Sequence, residues 1–327
     1  MPVTAPMIFA LGSSQRLGQH VAGRLRVRLA AHEEREFEWG QHKCRPLEGV
    51  RGADAYVIHS LHGEHGQSVN DKLCRLLFFA GALRDAGATR ITAVVPYLCY
   101  SRKDRQTKHR DPVTTRYVAA LFEAAGIDRV VTIEVHNLAA FQNAFRCRTE
   151  HLAARRIFVD FLADACRDQP LAVVSPDLGG VKRANGYRGA LEQRIGRDVT
   201  SGVVEKYRSQ DVVTGERVVG EVGGRTVVLV DDLISGGTTL ARAARACRRA
   251  GATGVIAVAA HGAFVPEAFG VLADAPIDRV AVLDHIPVDP GVAGLGDRIV
   301  ALQSAPLIAD AIAGLHEDRP LEDLVDP

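Results

Sequence analysis

The chain predicts an α/β fold of two tandem domains, each a mainly parallel sheet flanked by helices. Short aliphatic runs alternate with helix-length stretches from end to end, the pattern of parallel sheets joined by crossover helices. The phrases AGATRITAVVPY (86–97), AGIDRVVTIEVH (125–136) and AGATGVIAVAAH (250–261) repeat one unit, a helix end closed by Gly followed by a buried strand that ends on a polar residue. At 327 residues the chain is long enough for each half to bury its own core.

Taken in order, aliphatic runs predict strands near 7–11, 55–60, 91–95, 130–133, 171–175, 226–230, 255–260 and 280–283. Helical patterns lie between them at 16–29, 70–86, 113–125, 180–195, 240–250 and 307–315. No linker composition marks the division, which is placed so that the domains run 1–150 and 151–327. The acidic, proline-bearing tail 317–327 is expected to fray.

Bulk properties narrow the function. A formal net charge of +1 argues against nucleic acid or an acidic membrane surface as the main partner. Six cysteines without a C-x-x-C pair suit a reducing cytosol, with neither a disulfide framework nor a zinc site. No basic segment leads into an apolar run at the N-terminus, and no stretch stays apolar for ~18 residues, so a cytoplasmic protein that does not span a membrane is expected.

Residues 227–239 carry the most chemistry. A buried strand ends on the adjacent carboxylates Asp231 and Asp232, and the loop Ser235-Gly236-Gly237-Thr238-Thr239 leads into a helix. Glycines let main-chain amides turn inward, hydroxyls add donors, and the helix presents its positive end, so the loop suits a phosphate. The carboxylates would repel a phosphate and suit the hydroxyls of an attached sugar. Strand, acid pair and loop together describe a site for a sugar 5-phosphate.

Ligands in open α/β sheets bind beyond the C-terminal ends of strands, and four further groups qualify by that rule. Ser175-Pro176-Asp177-Leu178-Gly179-Gly180 opens a helix; Asp177 can hold Mg²⁺ or simply cap that helix. Glu134-Val135-His136 follows a strand, and His136 can ligate a metal, bind phosphate or be structural. In residues 100–110, Arg102, Lys103, Arg105, Lys108, His109 and Arg110 form either a polyphosphate site or a solvated charged loop. Glu205-Lys206-Tyr207-Arg208 opens a long polar segment, read as a lid whose cations could close on a transferring phosphoryl group or as a surface loop.

These segments together resemble the ribose-phosphate diphosphokinase, or phosphoribosyl pyrophosphate (PRPP) synthetase, family. The resemblance runs from about Phe37 to Leu315. Its six ordered motifs are Gly49-Val50-Arg51-Gly52, VND at 69–71, ITAVVPYLCYSRKDR at 91–105, VVSPDLGGVKRA at 173–184, Lys206-x-Arg208 and VVLVDDLISGGTTL at 227–240. Phosphoribosyltransferases share only the last, and nothing here resembles their base-binding hood. The resemblance implies two phosphoribosyltransferase-type domains, a nucleotide side and a ribose 5-phosphate side. It implies transfer of the diphosphoryl group of MgATP to the 1-hydroxyl of ribose 5-phosphate. In that assignment Lys206 and Arg208 are catalytic. Asp231 and Asp232 bind the ribose, Ser235, Gly236, Gly237, Thr238 and Thr239 hold the 5-phosphate, and His136 and Asp177 hold Mg²⁺. Phe37, Trp39, Gly40, Gln41, Arg102, Lys103 and Asp104 contact ATP. A homo-oligomer built from dimers, a hexamer among its forms, is also implied.

The departures are local. The family's nucleotide loop usually reads Phe-Ser-Asp-Gly-Glu; here it is Phe37-Glu38-Trp39-Gly40-Gln41, without both acids of that motif and with an aromatic ring that can stack on a base. Lys103 stands where Gln is usual, Glu134 where Asp is usual, and Ser235 where the family has Asp. The altered loop keeps open an alternative, a non-catalytic regulatory homologue associated with such an enzyme.

Overall fold

The computed structural model describes residues 5–64, 66–209, 212–288 and 295–325; side chains of 206–209 and 212–216 fall outside that description. The chain divides into two units, Met1–Ala153 with Gln303–Pro327, and Ala154–Leu302.

The first unit contains, in order, β1 (Met7–Ala10), α1 (Gln15–Arg24), β2 (His32–Glu36), β3 (His42–Pro46), β4 (Asp54–Ile58), α2 (Val69–Asp85), β5 (Arg90–Val94), α3 (Thr114–Ala124), β6 (Arg129–Ile133), α4 (Leu138–Ala144) and β7 (Arg148–Leu152). Its five-stranded sheet runs β1-β4-β5-β6-β7, all parallel, while β2 and β3 form a separate antiparallel hairpin. Phe9, Val57, Ile91, Ala93 and Val130 from the strands pack with Leu76, Phe79, Leu83, Val118 and Phe122 from the helices. The helix expected at 16–29 stops at Arg24 because Arg26 adopts φ 56°, a left-handed conformation that no helix continues through.

The second unit comprises α5 (Arg155–Ala165), β8 (Leu171–Ser175), α6 (Val181–Ile195), β9 (Val199–Ser209), β10 (Val212–Gly220), β11 (Thr226–Ile234), α7 (Thr238–Arg249), β12 (Gly254–Gly262), α8 (Pro266–Ala273), β13 (Arg279–Leu283) and β14 (Ile299–Leu302). Its sheet order is β10-β9-β8-β11-β12-β13-β14, parallel except where β10 turns back on β9. The strand expected to end at 230 continues to Ile234, so the acid pair lies inside β11. Paired to β12 through Ile234, the strand can carry polar side chains past the buried core.

One expectation about the division is corrected. Residues 303–327, assigned by sequence to the second domain, return to the first unit as α9 (Ala305–His316) and the tail after it. The buried face of α9, with Leu307, Ile308, Ala311, Ile312 and Leu315, packs on α1. The tail does not fray through Val325: the Ala153 amide donates to the Leu324 carbonyl at 2.9 Å, and Leu152 pairs with Val325.

A polar clasp fastens α9. Asp54 accepts from Arg90 Nε at 2.7 Å and sits 2.7 Å from His316 Nδ1, while Arg90 reaches the Leu315 carbonyl at 3.3 Å. Burial alone would raise the Asp54 carboxyl, but the hydrogen bonds from Arg90 and His316 outweigh it and hold the carboxyl below its ordinary range. A depressed carboxyl stabilises the fold above the unfolded-chain pKa and loses that contribution as pH falls below it. Asp54→Asn is therefore expected to cost about 2–3 kcal/mol near neutrality, less than a fully buried pair would. Thermal melts should show the difference shrinking as the buffer is taken toward pH 3; a difference that grows would contradict this assignment. Among the described residues no helix is long and apolar enough to cross a membrane.

Candidate active site

Strand register fixes where the chemistry gathers in the second unit. Ser175 on β8 is level with Val203 on β9, and Val174 with Leu229 on β11. Asp231 and Asp232 thus lie just past the row at which β8 ends, and the 177–180 turn leaves β8 at the same edge. Beyond Val203 the β9 ladder continues, among the described residues, with β10 alone, Lys206 opposite Glu216 and Arg208 opposite Val213. At ~3.3 Å per residue, the Lys206 backbone overhangs the end of β8 by about 10 Å. The long polar loop expected from 205 onward is therefore a two-stranded ribbon, held by its own ladder, that projects from the ligand-binding edge. The side chains of Lys206 and Arg208 lie outside the described residues.

The loop after β11 has the features of an anion cradle. Gly237 caps α7 at φ 73°, and a Cβ there would meet Leu272 Cγ at 2.8 Å, so only glycine fits on two counts. No side chain caps α7 and no acid sits in its first turn, which leaves the amides around Thr238 and Thr239 facing outward. A Cβ at Gly236 would meet nothing within 4 Å, so the cradle is open on that side. The Ser235 carbonyl accepts from the Val265 amide at 3.3 Å, tying the loop to the segment after β12.

The acid pair is mostly buried, and Arg183 of α6 faces both members, 3.8 Å from Asp231 Oδ1 and 3.5 Å from Asp232 Oδ1. Burial first, then the shared hydrogen bond and charge of Asp232, push the Asp231 carboxyl up to about 7, with Arg183 pulling it back. Arg183 was not singled out by sequence reasoning, although it lies in the VKRA segment. Its signal was a cation in the first turn of the helix that opens beside the acid pair.

Asp177 caps the short turn Leu178–Gly180, its Oδ1 accepting from the amides of Gly179 at 2.9 Å and Gly180 at 3.2 Å. The capping reading is thus observed. Both bonds fall on Oδ1, and Oδ2 is the oxygen the residue would offer an ion. Gly180 is required sterically, since a Cβ there would lie 2.6 Å from Ser175 Oγ.

In the first unit the basic loop follows β5 and His136 follows β6, adjacent strands of one sheet. Asn137 Nδ2 donates to Asp104 Oδ2 at 2.9 Å and stitches the two loops together. Arg102, Lys103 and His136 are exposed along this edge. The charged stretch is folded rather than a loose solvated loop: Asp111 accepts from Thr107 Oγ1 at 2.6 Å and from the Lys108 amide at 2.9 Å. Glu134 takes φ 39°, a strained value at the turn out of β6 that aims the following residues.

Phe37, Trp39, Gly40 and Gln41 form the tip of the β2–β3 hairpin, where the Phe37 amide donates to the Gln41 carbonyl at 2.7 Å. Trp39 is 96% exposed, and Arg35 lies over the Phe37 ring at 5.1 Å. Among the described residues no group of three or more His, Cys, Asp or Glu could hold a metal by itself. His136 and Asp177 belong to different units.

Two sheets of this kind, one ending in an acid pair and a glycine-rich anion loop, define a protein with two phosphoribosyltransferase-type domains. Comparison with known proteins is specific. Residues 6–126 match the N-terminal domain of ribose phosphate pyrophosphokinase, and residues 203–325 match the phosphoribosyl synthetase-associated domain. Ribose-phosphate pyrophosphokinase 1 of Streptococcus pneumoniae is 33% identical over 325 residues, covering 98% of this chain and 96% of that protein. The Streptococcus pyogenes protein of the same name is 32% identical over 323 residues, covering 97% and 96%. The crystal structure of phosphoribosylpyrophosphate synthetase from Mycobacterium smegmatis superposes with a TM-score of 0.87 at 32% identity, covering 96% of this chain and all of that one. The chain belongs to the ribose-phosphate pyrophosphokinase family of enzymes.

Proposed function

We propose that the protein transfers the β,γ-diphosphoryl group of ATP to the 1-hydroxyl of ribose 5-phosphate, giving 5-phosphoribosyl 1-diphosphate and AMP. The observation that carries this reading is the shared edge of the second sheet. There an acid pair, an uncapped helix behind a Ser-Gly-Gly-Thr-Thr loop, and a ribbon bearing Lys206 all project beyond the same strand ends. The 5-phosphate is held by the α7 amides with Ser235, Gly236, Gly237, Thr238 and Thr239. Asp231 and Asp232 accept hydrogen bonds from the ribose hydroxyls, which fixes the 1-hydroxyl for in-line attack. Lys206 and Arg208 neutralise charge developing on the oxygen that leaves with AMP. In phosphoryl transfer, positioning and neutralisation of this kind supply most of the rate.

ATP is assigned to Arg102, Lys103 and Asp104 with the hairpin tip Phe37, Trp39, Gly40 and Gln41. Asp177 and His136 would hold Mg²⁺. A carboxylate oxygen of Asp177 suits an ion that keeps its waters and takes further oxygens from phosphates, whereas the imidazole of His136 is the softer donor. Bound there, Mg²⁺ would offset the charge of the triphosphate. The hairpin tip would reach ATP bound by another subunit, in keeping with a dimer-based homo-oligomer.

The test is AMP release from the purified protein, run with ribose 5-phosphate and ATP, GTP or CTP in turn. Sugar-dependent AMP formation is the expected result. Its absence with tight ribose 5-phosphate binding would favour the second reading, a regulatory homologue, to which the changed hairpin tip points.

Asp231→Asn is expected to weaken ribose 5-phosphate about tenfold, the loss of a charged hydrogen-bond acceptor, while ATP affinity changes little. Calorimetry giving the opposite order would overturn the site assignment. The same change should stabilise the unliganded protein at pH 8. A carboxyl raised in the folded state costs stability as pH climbs from its unfolded value toward its folded one, and the amide removes that cost.

A further inference from the structure

The β2–β3 hairpin is not a strand pair of the large sheet, so side chains must hold it in place. Isolated two-stranded hairpins are marginal in water. The β2 sequence, HEERE, has no apolar residue with which to dock, and from β3 it is Cys44 that joins the hydrophobic core. The rest of the fastening is largely by charge. Glu34 and Glu36 are two residues apart in β2, hence on one face. Arg75 of α2, itself buried, reaches both: Nη1 donates to Glu34 Oε2 at 3.0 Å and Nη2 to Glu36 Oε1 at 2.8 Å.

The same two carboxylates collect every other polar tie from the body that the hairpin makes among the described residues. The Gly12 amide donates to Glu34 Oε1 at 2.8 Å, and Gln67 Nε2 donates to Glu36 Oε1 at 3.3 Å. His32 Nε2 lies 3.1 Å from Glu34 Oε1 within the hairpin. Burial opposes the Glu34 charge, yet the bonds from His32, Gly12 and Arg75 take its carboxyl down to about 2, so it stays ionised at any working pH. Ring contacts complete the seat: His42 stacks on Phe78 at 5.4 Å, and His32 meets Phe79 at 5.7 Å and Phe9 at 6.2 Å.

We infer that Arg75 is a positioning residue for the nucleotide, acting through Glu34 and Glu36 to aim the hairpin tip at 37–41. The inference rests on the assignment of that tip to ATP. Arginine suits the task because its planar fork can donate to two carboxylates at once, which a lysine cannot match in geometry.

Trp39 is the chain's only tryptophan and sits at the tip, so its fluorescence reports on the hairpin directly. The experiment compares full-length wild type with Arg75→Gln and the milder Glu36→Gln, the latter altering an exposed residue whose loss leaves the core intact. Steady-state anisotropy of Trp39 is read beside KM for ATP and KM for ribose 5-phosphate. The expected result is lower anisotropy in both variants, KM for ATP raised about tenfold in Arg75→Gln, the loss of one charged hydrogen bond, and KM for ribose 5-phosphate within twofold. Arg75→Lys should recover part of the change.

Unchanged anisotropy in both variants would overturn the latch. Lower anisotropy with KM for ATP unmoved would overturn the assignment of the tip to ATP, and the positioning role with it. Equal increases in both KM values would show general loosening and refute a role specific to the nucleotide.

Discussion

Lys206→Ala is expected to lower kcat by about 10²–10³-fold, the cost of removing one preorganised donor from a developing oxyanion. The loss should fall on kcat, because in the proposed assignment the lysine would act where charge appears in the transition state rather than where the sugar is held. Ribose 5-phosphate bound to the 235–239 loop and the acid pair should dissociate with nearly its wild-type constant. The backbone explains why one residue can matter so much. Among the described residues, the β9–β10 ribbon beyond Val203 has no neighbour but itself in the ladder. It can therefore bend toward the sheet edge without breaking the core hydrogen bonds of β8 and β11. Arg208, two residues on in the same strand, should show a smaller loss of the same kind. Single-turnover measurements are the check: a Lys206→Ala enzyme keeping more than a tenth of wild-type turnover would remove this lysine from the mechanism.

Gly237→Ala should be the most damaging single-atom-scale change in the phosphate loop. The residue sits at φ 73°, where a side chain costs about 1–2 kcal/mol. The added Cβ would also meet Leu272 Cγ at 2.8 Å and Cδ2 at 3.0 Å. Leu272 belongs to the buried face of α8 and cannot swing into solvent, so the loop must move instead. Displacing the first turn of α7 by even a fraction of an ångström would misdirect the amides proposed to hold the anion. Affinity for ribose 5-phosphate is expected to fall by about two decades, of the order of two lost hydrogen bonds. Gly236→Ala is the matched control. Its Cβ would enter open space, and the fold should tolerate it, though the ligand must share that space. If calorimetry finds ribose 5-phosphate binding unchanged in Gly237→Ala, the anion does not bind at this loop.

Much of the architecture was legible because buried parallel strands are written as aliphatic runs. β4, β5, β8, β11 and β12 all fall where such runs stand, and the repeated Ala-Gly–strand phrase located three of the crossovers. The hydrophobic pattern could not reveal β2, whose five residues HEERE contain no apolar position. That strand pairs with β3, and Arg75, about forty residues away, supplies the counter-charge to its two glutamates. The β9–β10 ribbon was invisible for a related reason: its outer half pairs only with itself and needs no apolar code. α9 was seen as a helix but given to the wrong unit, since an amphipathic pattern states that a face is buried and not against which partner.

The candidate site divides in the same way. Local chemistry is a matter of adjacency, so the chain alone specified the acid pair 231–232, the loop 235–239 and the basic turn after β5, and offered the cap at Asp177 as one of two readings. Those features are built within a few residues by glycine conformations, helix ends and side-chain donors. Distance along the chain hid what tertiary packing brings together: Arg183 beside Asp231 and Asp232, Asn137 bridging to Asp104, and Arg75 beneath the Trp39 hairpin. Each is a contact between charged or polar groups from separate elements, and such pairs carry no periodicity to read. Their partners are settled only when the sheet registers and helix docking place them within reach.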